Sequence, residues 1–213
     1  ISQYADVIAV RAFPSLTDKE KDESEFVINS FVKYASVPIV NMESSTAHPL
    51  QALTDAITIE ELKTKQKPKV VLSWAPHPKA LPHAVANSFA QMMQELDVVF
   101  SITHPKGYEL SPEVTKDTSI NYNQAEALKD ADFVYVKNWS SYTDYGKIKS
   151  QDENWMLTKE KLGNAKFMHC LPVRRNVVVE DAVLDSDNSV VIHQANNRTF
   201  AAQIVLKKIL ENK

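Results

Sequence analysis

The sequence predicts a doubly wound α/β protein with a parallel sheet. Two observations carry this. Short β-rich apolar runs alternate along the chain with stretches of helical periodicity. Unusual polar and charged residues also fall just after those runs, where doubly wound sheets place their sites: Arg11, Glu43, His77, Lys137 and Cys170.

Residues 7–10 (Val-Ile-Ala-Val) read as a strand. Residues 25–34 have helical spacing, which puts Val27, Phe31 and Tyr34 on one face. Residues 38–41 form a second short strand. Residues 48–63 follow as a helix on the spacing of Leu50, Leu53, Ile57 and Leu62, with Ser45 or Thr46 as cap. A polar break at residues 63–69 opens a new α/β series. Its strands are placed at 70–74, 98–102, 133–136, 167–170 and 190–192. Its helices are placed at 84–96 (Val85, Phe89, Met92, Met93 and Leu96 inward), 123–129, 157–162 and 200–210. The first six residues read like the end of a helix entering a strand, and there is no initiator Met. The expectation is a missing upstream segment.

Hydrophobic residues make up 44% of the 213, enough for a substantial core. The 24 Lys and Arg against 27 Asp and Glu give a net charge of -3, which disfavours a nucleic-acid binder. Cys170 is the single cysteine, so no internal disulfide can form, and a reducing, cytoplasmic location is expected. No apolar run approaches the roughly 18 residues of a membrane span. With three glycines in total, neither the GxGxxG fingerprint nor a phosphate-binding P-loop is present, and a nucleotide-binding reading loses its support.

Two motifs carry chemistry. His48-Pro49-Leu50-Gln51 sits where a loop becomes a helix. Pro suits the first turn, whose free N–H groups attract anions, and His48 and Gln51 can donate hydrogen bonds to a carbonyl or phosphate oxygen. The alternative is an ordinary helix start with a surface His. His169-Cys170-Leu171-Pro172 follows a strand, placing Cys170 at a site rim. The alternative is a small buried hydrophobe. A thiolate nucleophile is disfavoured, because only His169 stands close in sequence to lower the thiol pKa.

Together, in this order and separation, the two motifs resemble the aspartate/ornithine carbamoyltransferase family, and HCLP is similar to its ornithine branch. The resemblance runs over essentially the whole chain and includes Arg11 and Asn196-Asn197-Arg198. It implies a doubly wound acceptor-binding domain plus the C-terminal part of a carbamoyl-phosphate-binding domain. The expected division is 1–47 for the remainder of the carbamoyl-phosphate domain and 48–67 for the linking helix. The acceptor domain then spans 68–195, and 196–213 is a helix returning to the first domain. Carbamoyl phosphate is expected to meet Arg11, His48, Pro49, Leu50, Gln51, Cys170, Leu171 and Arg198. Among these, Arg11, His48, Gln51, Cys170 and Arg198 form the catalytic set. No metal or organic cofactor is implied.

Within the family, ornithine enzymes hold the free α-amino group with an acidic residue and an SMG-type loop. This chain has Lys137-Asn138-Trp139-Ser140-Ser141 there. A lysine repels an ammonium group and suits a carboxylate, so an N-acylated ornithine is implied. The Trp74-Ala75-Pro76-His77-Pro78 stretch resembles the succinylornithine enzymes. Glu43, His77, Lys137 and Arg174 are expected to bind N-succinylornithine, with N-acetylornithine or ornithine as alternatives. A non-catalytic anion-binding α/β domain is the alternative of another class. The family's Ser-x-Arg-Thr phosphate loop is absent. A neighbour-subunit loop is expected from a homotrimer, so the 213 residues alone are expected to bind carbamoyl phosphate poorly.

Overall fold

Every strand pairing among the described residues of the chain, 1–212, is parallel. The computed structural model runs β1 (Ile8–Arg11), α1 (Lys19–Glu23), α2 (Phe26–Tyr34), β2 (Ile39–Glu43) and α3 (Pro49–Leu62). It continues with β3 (Lys69–Trp74), α4 (Ala84–Gln94), β4 (Val99–Thr103), α5 (Pro112–Thr115), β5 (Ser119–Asn121), α6 (Gln124–Leu128) and β6 (Phe133–Lys137). A 3-10 turn at Glu153–Trp155 precedes α7 (Lys159–Leu162), β7 (Lys166–Met168), α8 (Asp181–Leu184) and α9 (Val191–Glu211).

β1 and β2 form a two-stranded sheet, and the other strands form a five-stranded sheet in the order β5-β4-β3-β6-β7. The chain leaves central β3 first toward one edge and then returns to the other. The winding direction therefore reverses between β3 and β6, and a crevice opens beyond their carboxyl ends. Trp74 stands opposite Lys137 at that point. The central strands are buried on both faces, as parallel strands under helices must be. Val70, Leu72 and Trp74 pack with Phe89, Met93, Ile102 and Tyr135 on one face. Val71 packs with Val134, Leu157, Phe167 and Val179 on the other. No helix among the described residues is long and apolar enough to cross a membrane.

Two expectations are corrected. Residues 190–192 are not a strand: Val190 caps α9 and its N–H bonds Phe167 O at 3.0 Å. The helix placed at 200–210 thus begins at Val191. Its buried stripe is Val191, Gln194, Asn197 and Ala201, a helical period whose polar members hide it from a reading by hydrophobicity. On α3 the fully buried side is Gln51, Ala52, Thr54, Asp55, Ala56, Thr58 and Ile59, while Leu50, Leu53 and Ile57 are half-buried. The reason is that α3 packs on α9 largely through polar pairs, such as Asn197 Nδ2 to Thr58 Oγ1 at 3.0 Å. On α2, Val27 and Tyr34 are exposed, and Ile28 and Phe31 are half-buried.

The segment preceding α2 is tied to the loop after β6. Asp22 accepts from Tyr145 Oη at 2.9 Å and from Ser15 N and Leu16 N, both at 2.9 Å. Gly146 has φ +71°, and a Cβ there would lie 1.9 Å from Leu16 O. The loop can approach that carbonyl only because residue 146 has no side chain.

Candidate active site

Side chains from both sheets converge on one cavity of about 270 Å³. Its wall is Arg11, Glu43, His48, Gln51, Val85, Lys137, Cys170, Leu171, Pro172 and Arg198. Arg11 ends β1 and Glu43 ends β2, in register across the pair. The Arg11 Nη2 and Nε reach Glu43 Oε2 at 2.6 and 3.0 Å. Glu43 is expected on the acceptor side, yet its carboxylate is already engaged by Arg11, with His48 Nε2 3.7 Å away.

His48 is the residue from which α3 starts, and Pro49 occupies the first turn. The backbone N–H of His48 is pinned by Ser88 Oγ at 2.7 Å. The imidazole is 7% exposed, which removes the surface-His alternative. Burial, with Arg198, Arg11 and Lys137 nearby, lowers its pKa to about 4, so the ring is neutral at physiological pH. A neutral ring keeps one N–H to donate.

Gln51 Nε2 donates to Asp55 Oδ1 at 2.7 Å. One N–H of the amide nitrogen that the sequence offers as a donor is therefore engaged. The free end is Oε1, buried and without a partner among the described residues. Gln51 therefore presents an unpaired acceptor, with one N–H of its amide already spent on Asp55.

Beyond β7 the chain turns at His169. This ring is buried, and burial, then Lys137 and His77, hold its pKa well below the usual value. Its Nδ1 accepts from Leu171 N at 2.9 Å, and the backbone N–H of His169 donates to Gln194 Oε1 at 2.9 Å. His169 thus shapes the turn, and the half-buried Cys170 with Leu171 faces the cavity. Burial pushes the Cys170 thiol pKa up, which argues against a thiolate nucleophile. Lys137 ends β6, and its carbonyl accepts from Ala75 N at 3.2 Å. Arg198 lies one helical turn beyond Gln194 on α9.

Of the remaining expected residues, Leu50 lines an adjoining cavity of about 110 Å³ with Arg11, His48 and Arg198, and Pro49 is exposed. His77 and Arg174 pair with each other, Arg174 Nε donating to His77 Nε2 at 3.1 Å. His77 lines a separate cavity of about 280 Å³ with Pro76, Gln151 and Glu153. Asp55 and Gln194 escape a reading of the sequence. Asp55 stands four residues after Gln51, the spacing at which Gln and Asp meet on a helix, and that is its one signal.

The cavity sets Arg11, Lys137 and Arg198 against a single carboxylate, Glu43. With a neutral donor at His48 and an acceptor at Gln51, the arrangement suits a multiply charged anion bearing both N–H donors and oxygen acceptors.

Residues 1–61 match the family model described as the aspartate/ornithine carbamoyltransferase carbamoyl-P binding domain. Residues 82–209 match the Asp/Orn binding domain of the same family. The chain is 49% identical to an N-succinylornithine carbamoyltransferase of Bacteroides fragilis, over 98% of the chain and 67% of that protein. It is 33% identical to an N-acetylornithine carbamoyltransferase of Xylella fastidiosa, over 97% of the chain and 68% of the relative. Among solved structures, N-acetyl-L-ornithine transcarbamylase aligns with a TM-score of 0.89 at 33% identity, over 98% of this chain and 70% of that one. The same enzyme complexed with acetylcitrulline aligns with a TM-score of 0.88 at 32% identity, covering 98% and 69%.

Proposed function

The chain belongs to the aspartate/ornithine carbamoyltransferase family, and from that premise we propose that it carbamoylates N-succinyl-L-ornithine. The δ-amine of the acceptor attacks the carbonyl carbon of carbamoyl phosphate. The new C–N bond forms, the bond from carbon to the bridging phosphate oxygen breaks, and the amine proton is released. The products are N-succinyl-L-citrulline and phosphate, placing the reaction in arginine biosynthesis.

One observation carries this reading: the cavity gathers Arg11, His48, Gln51 and Arg198 opposite Lys137 and the Cys170–Leu171 turn. In the proposed roles, Arg11 and Arg198 hold the phosphate and the developing oxyanion. Neutral His48 donates to the carbamoyl oxygen. Gln51 Oε1 accepts from the carbamoyl NH2, with the Cys170–Leu171 backbone orienting the same group and the incoming amine. Catalysis then comes from positioning and from preorganised donors aimed at charge that develops in the transition state. The acceptor lies on the Lys137 side, where a cation favours its carboxylate over a free ammonium. Arg174, whose Nε donates to His77 Nε2, keeps its Nη groups as donors for the second carboxylate of a succinyl group. In this assignment residues 1–47 serve carbamoyl phosphate, 68–195 serve the acceptor, and α9 joins them; the working assembly is a homotrimer.

The test is a citrulline-forming assay of the full-length protein with carbamoyl phosphate and N-succinylornithine, N-acetylornithine or ornithine. The succinyl substrate is expected to give the highest kcat/KM. Preference for free ornithine would overturn the role given to Lys137, and no turnover with any of the three would favour a non-catalytic anion-binding domain.

A further inference from the structure

We propose that Asp55 is a positioning residue whose single oxygen Oδ1 couples the two motifs of the site; this rests on the carbamoyl-transfer reading above. Asp55 is fully buried between α3 and α9. Its Oδ1 accepts from Gln51 Nε2 at 2.7 Å and from Gln194 Nε2 at 2.6 Å. Gln194 Oε1 in turn accepts from His169 N, and His169 Nδ1 accepts from Leu171 N, both at 2.9 Å. Four hydrogen bonds therefore run without a break from the Leu171 backbone to the Gln51 carboxamide.

The consequence is directional. Oδ1 acts only as an acceptor here, so each carboxamide must turn its nitrogen toward Asp55. Gln51 is left with Oε1 free and Gln194 with Oε1 on His169. An amide of either residue flipped by half a turn would bring two oxygens together. Asp55 thus selects which end of Gln51 is available and holds the His169–Leu171 turn at a fixed distance from it.

A buried carboxylate is costly, and an apolar residue of similar size often packs as well or better. Its place at the helix contact needs a reason beyond packing, and the shared acceptor supplies one. The polar groups facing Asp55 are Gln51, Gln194, Tyr135 and Cys170, with Arg198 contributing a favourable charge. The Tyr135 hydroxyl is buried beside Asp55 and Cys170, without a partner of hydrogen-bonding geometry among the described residues. It leaves Oδ1 to the two glutamines.

The experiment compares Asp55→Leu and Asp55→Asn with the wild type in the full-length protein. Leucine offers no acceptor, whereas asparagine keeps one. Asp55→Leu is expected to lower kcat by about 100-fold, the scale of an ångström-sized misplacement, with the KM for the acylornithine unchanged. Asp55→Asn is expected to recover most of that loss. Hydrogen exchange at the His169 and Leu171 amides reads the same tie without turnover and is expected to speed up about tenfold or more in Asp55→Leu. A kcat within threefold of wild type in a folded Asp55→Leu, losses that follow the urea midpoint rather than the presence of an acceptor, or unchanged exchange would each overturn the proposal. Should Asp55→Leu not fold, Gln194→Leu breaks the chain from the other side. A loss of about tenfold in kcat at constant acceptor KM is then expected, and an unchanged kcat overturns the coupling. A wild type that forms no citrulline with any acceptor refutes the functional reading instead, and the exchange measurement still decides the role of Asp55.

Discussion

Arg11 and Glu43, the last residues of two neighbouring parallel strands, close on each other at 2.6 Å, and the same carboxylate oxygen lies 3.7 Å from His48. One carboxylate thus steadies a guanidinium whose side chain is still 49% exposed and free to meet a ligand. Hydrogen bonds to charged groups contribute about 1.5–3 kcal/mol, and the half-exposed Arg11 puts this pair at the lower end. Glu43→Gln is expected to reduce kcat/KM for carbamoyl phosphate by about tenfold, measured by steady-state kinetics at saturating acceptor. An unchanged value would mean that the pair is incidental.

His48 makes a prediction about pH. Its pKa falls from 6.5 to about 4 on folding, chiefly through burial and then through Arg198, Arg11 and Lys137. Between those two values the unfolded chain binds the proton and the folded chain does not, so stability rises with pH across that window. The contribution is complete above the unfolded pKa and is progressively lost as pH falls from 6.5 toward 4. Going from pH 7.5 to 5 should cost about 2 kcal/mol from this group. Urea unfolding of wild type and His48→Gln at both values measures it: the variant should show the smaller pH dependence.

The same neutrality shapes the rate profile. No ionisation of His48 should appear in kcat/KM between pH 6 and 9. The rate should instead climb through the alkaline range as the acceptor δ-amine loses its proton. A flat profile from about pH 6 to 9 would rule out rate-limiting attack by a free amine.

Lys137 is proposed to meet a carboxylate of the acceptor. Lys137→Met is expected to raise the KM for acylated ornithine by about tenfold, the effect of losing one charge-assisted contact, with little change in the KM for carbamoyl phosphate. Lys137→Glu should go further and improve turnover of free ornithine relative to the acylated substrate. The outcome that refutes the assignment is an acceptor preference unchanged by either substitution.

Gly146 is the fold's tightest crossing. Gly146→Ala would place a methyl group 1.9 Å from Leu16 O at a φ of +71°. The expected destabilisation is about 2 kcal/mol or more, from forced backbone movement and left-handed strain together. The urea midpoint reports it, and a shift below about 0.5 kcal/mol would show that the Leu16 segment moves aside freely.

Most strands and long helices of the fold were legible in the sequence, because each central strand is an apolar run buried on both faces and α4 has an uninterrupted apolar stripe. The start of α9 was not, since Gln194 and Asn197 stand where a hydrophobic stripe is looked for. α3 hides its buried side for the same reason, with Thr54, Asp55 and Thr58 taking the positions of leucines. β5 is three residues long, and α5 and α8 four each, too short for any period to show. The residues of the candidate site could be nominated because they border on compact motifs. Their interior support could not: one of the two groups that bond Asp55 is Gln194, 139 positions away, and only folding makes that pair.

The three cations round the cavity have a consequence at a distance. The chain carries a net charge of -3, yet Arg11, Lys137 and Arg198 against Glu43 leave a positive excess at one opening. Such a cluster would draw a dianion toward that mouth and raise its rate of productive encounter. This guidance reaches only about 8 Å at physiological ionic strength. Added salt should therefore slow capture of the anion before it disturbs anything inside the folded protein.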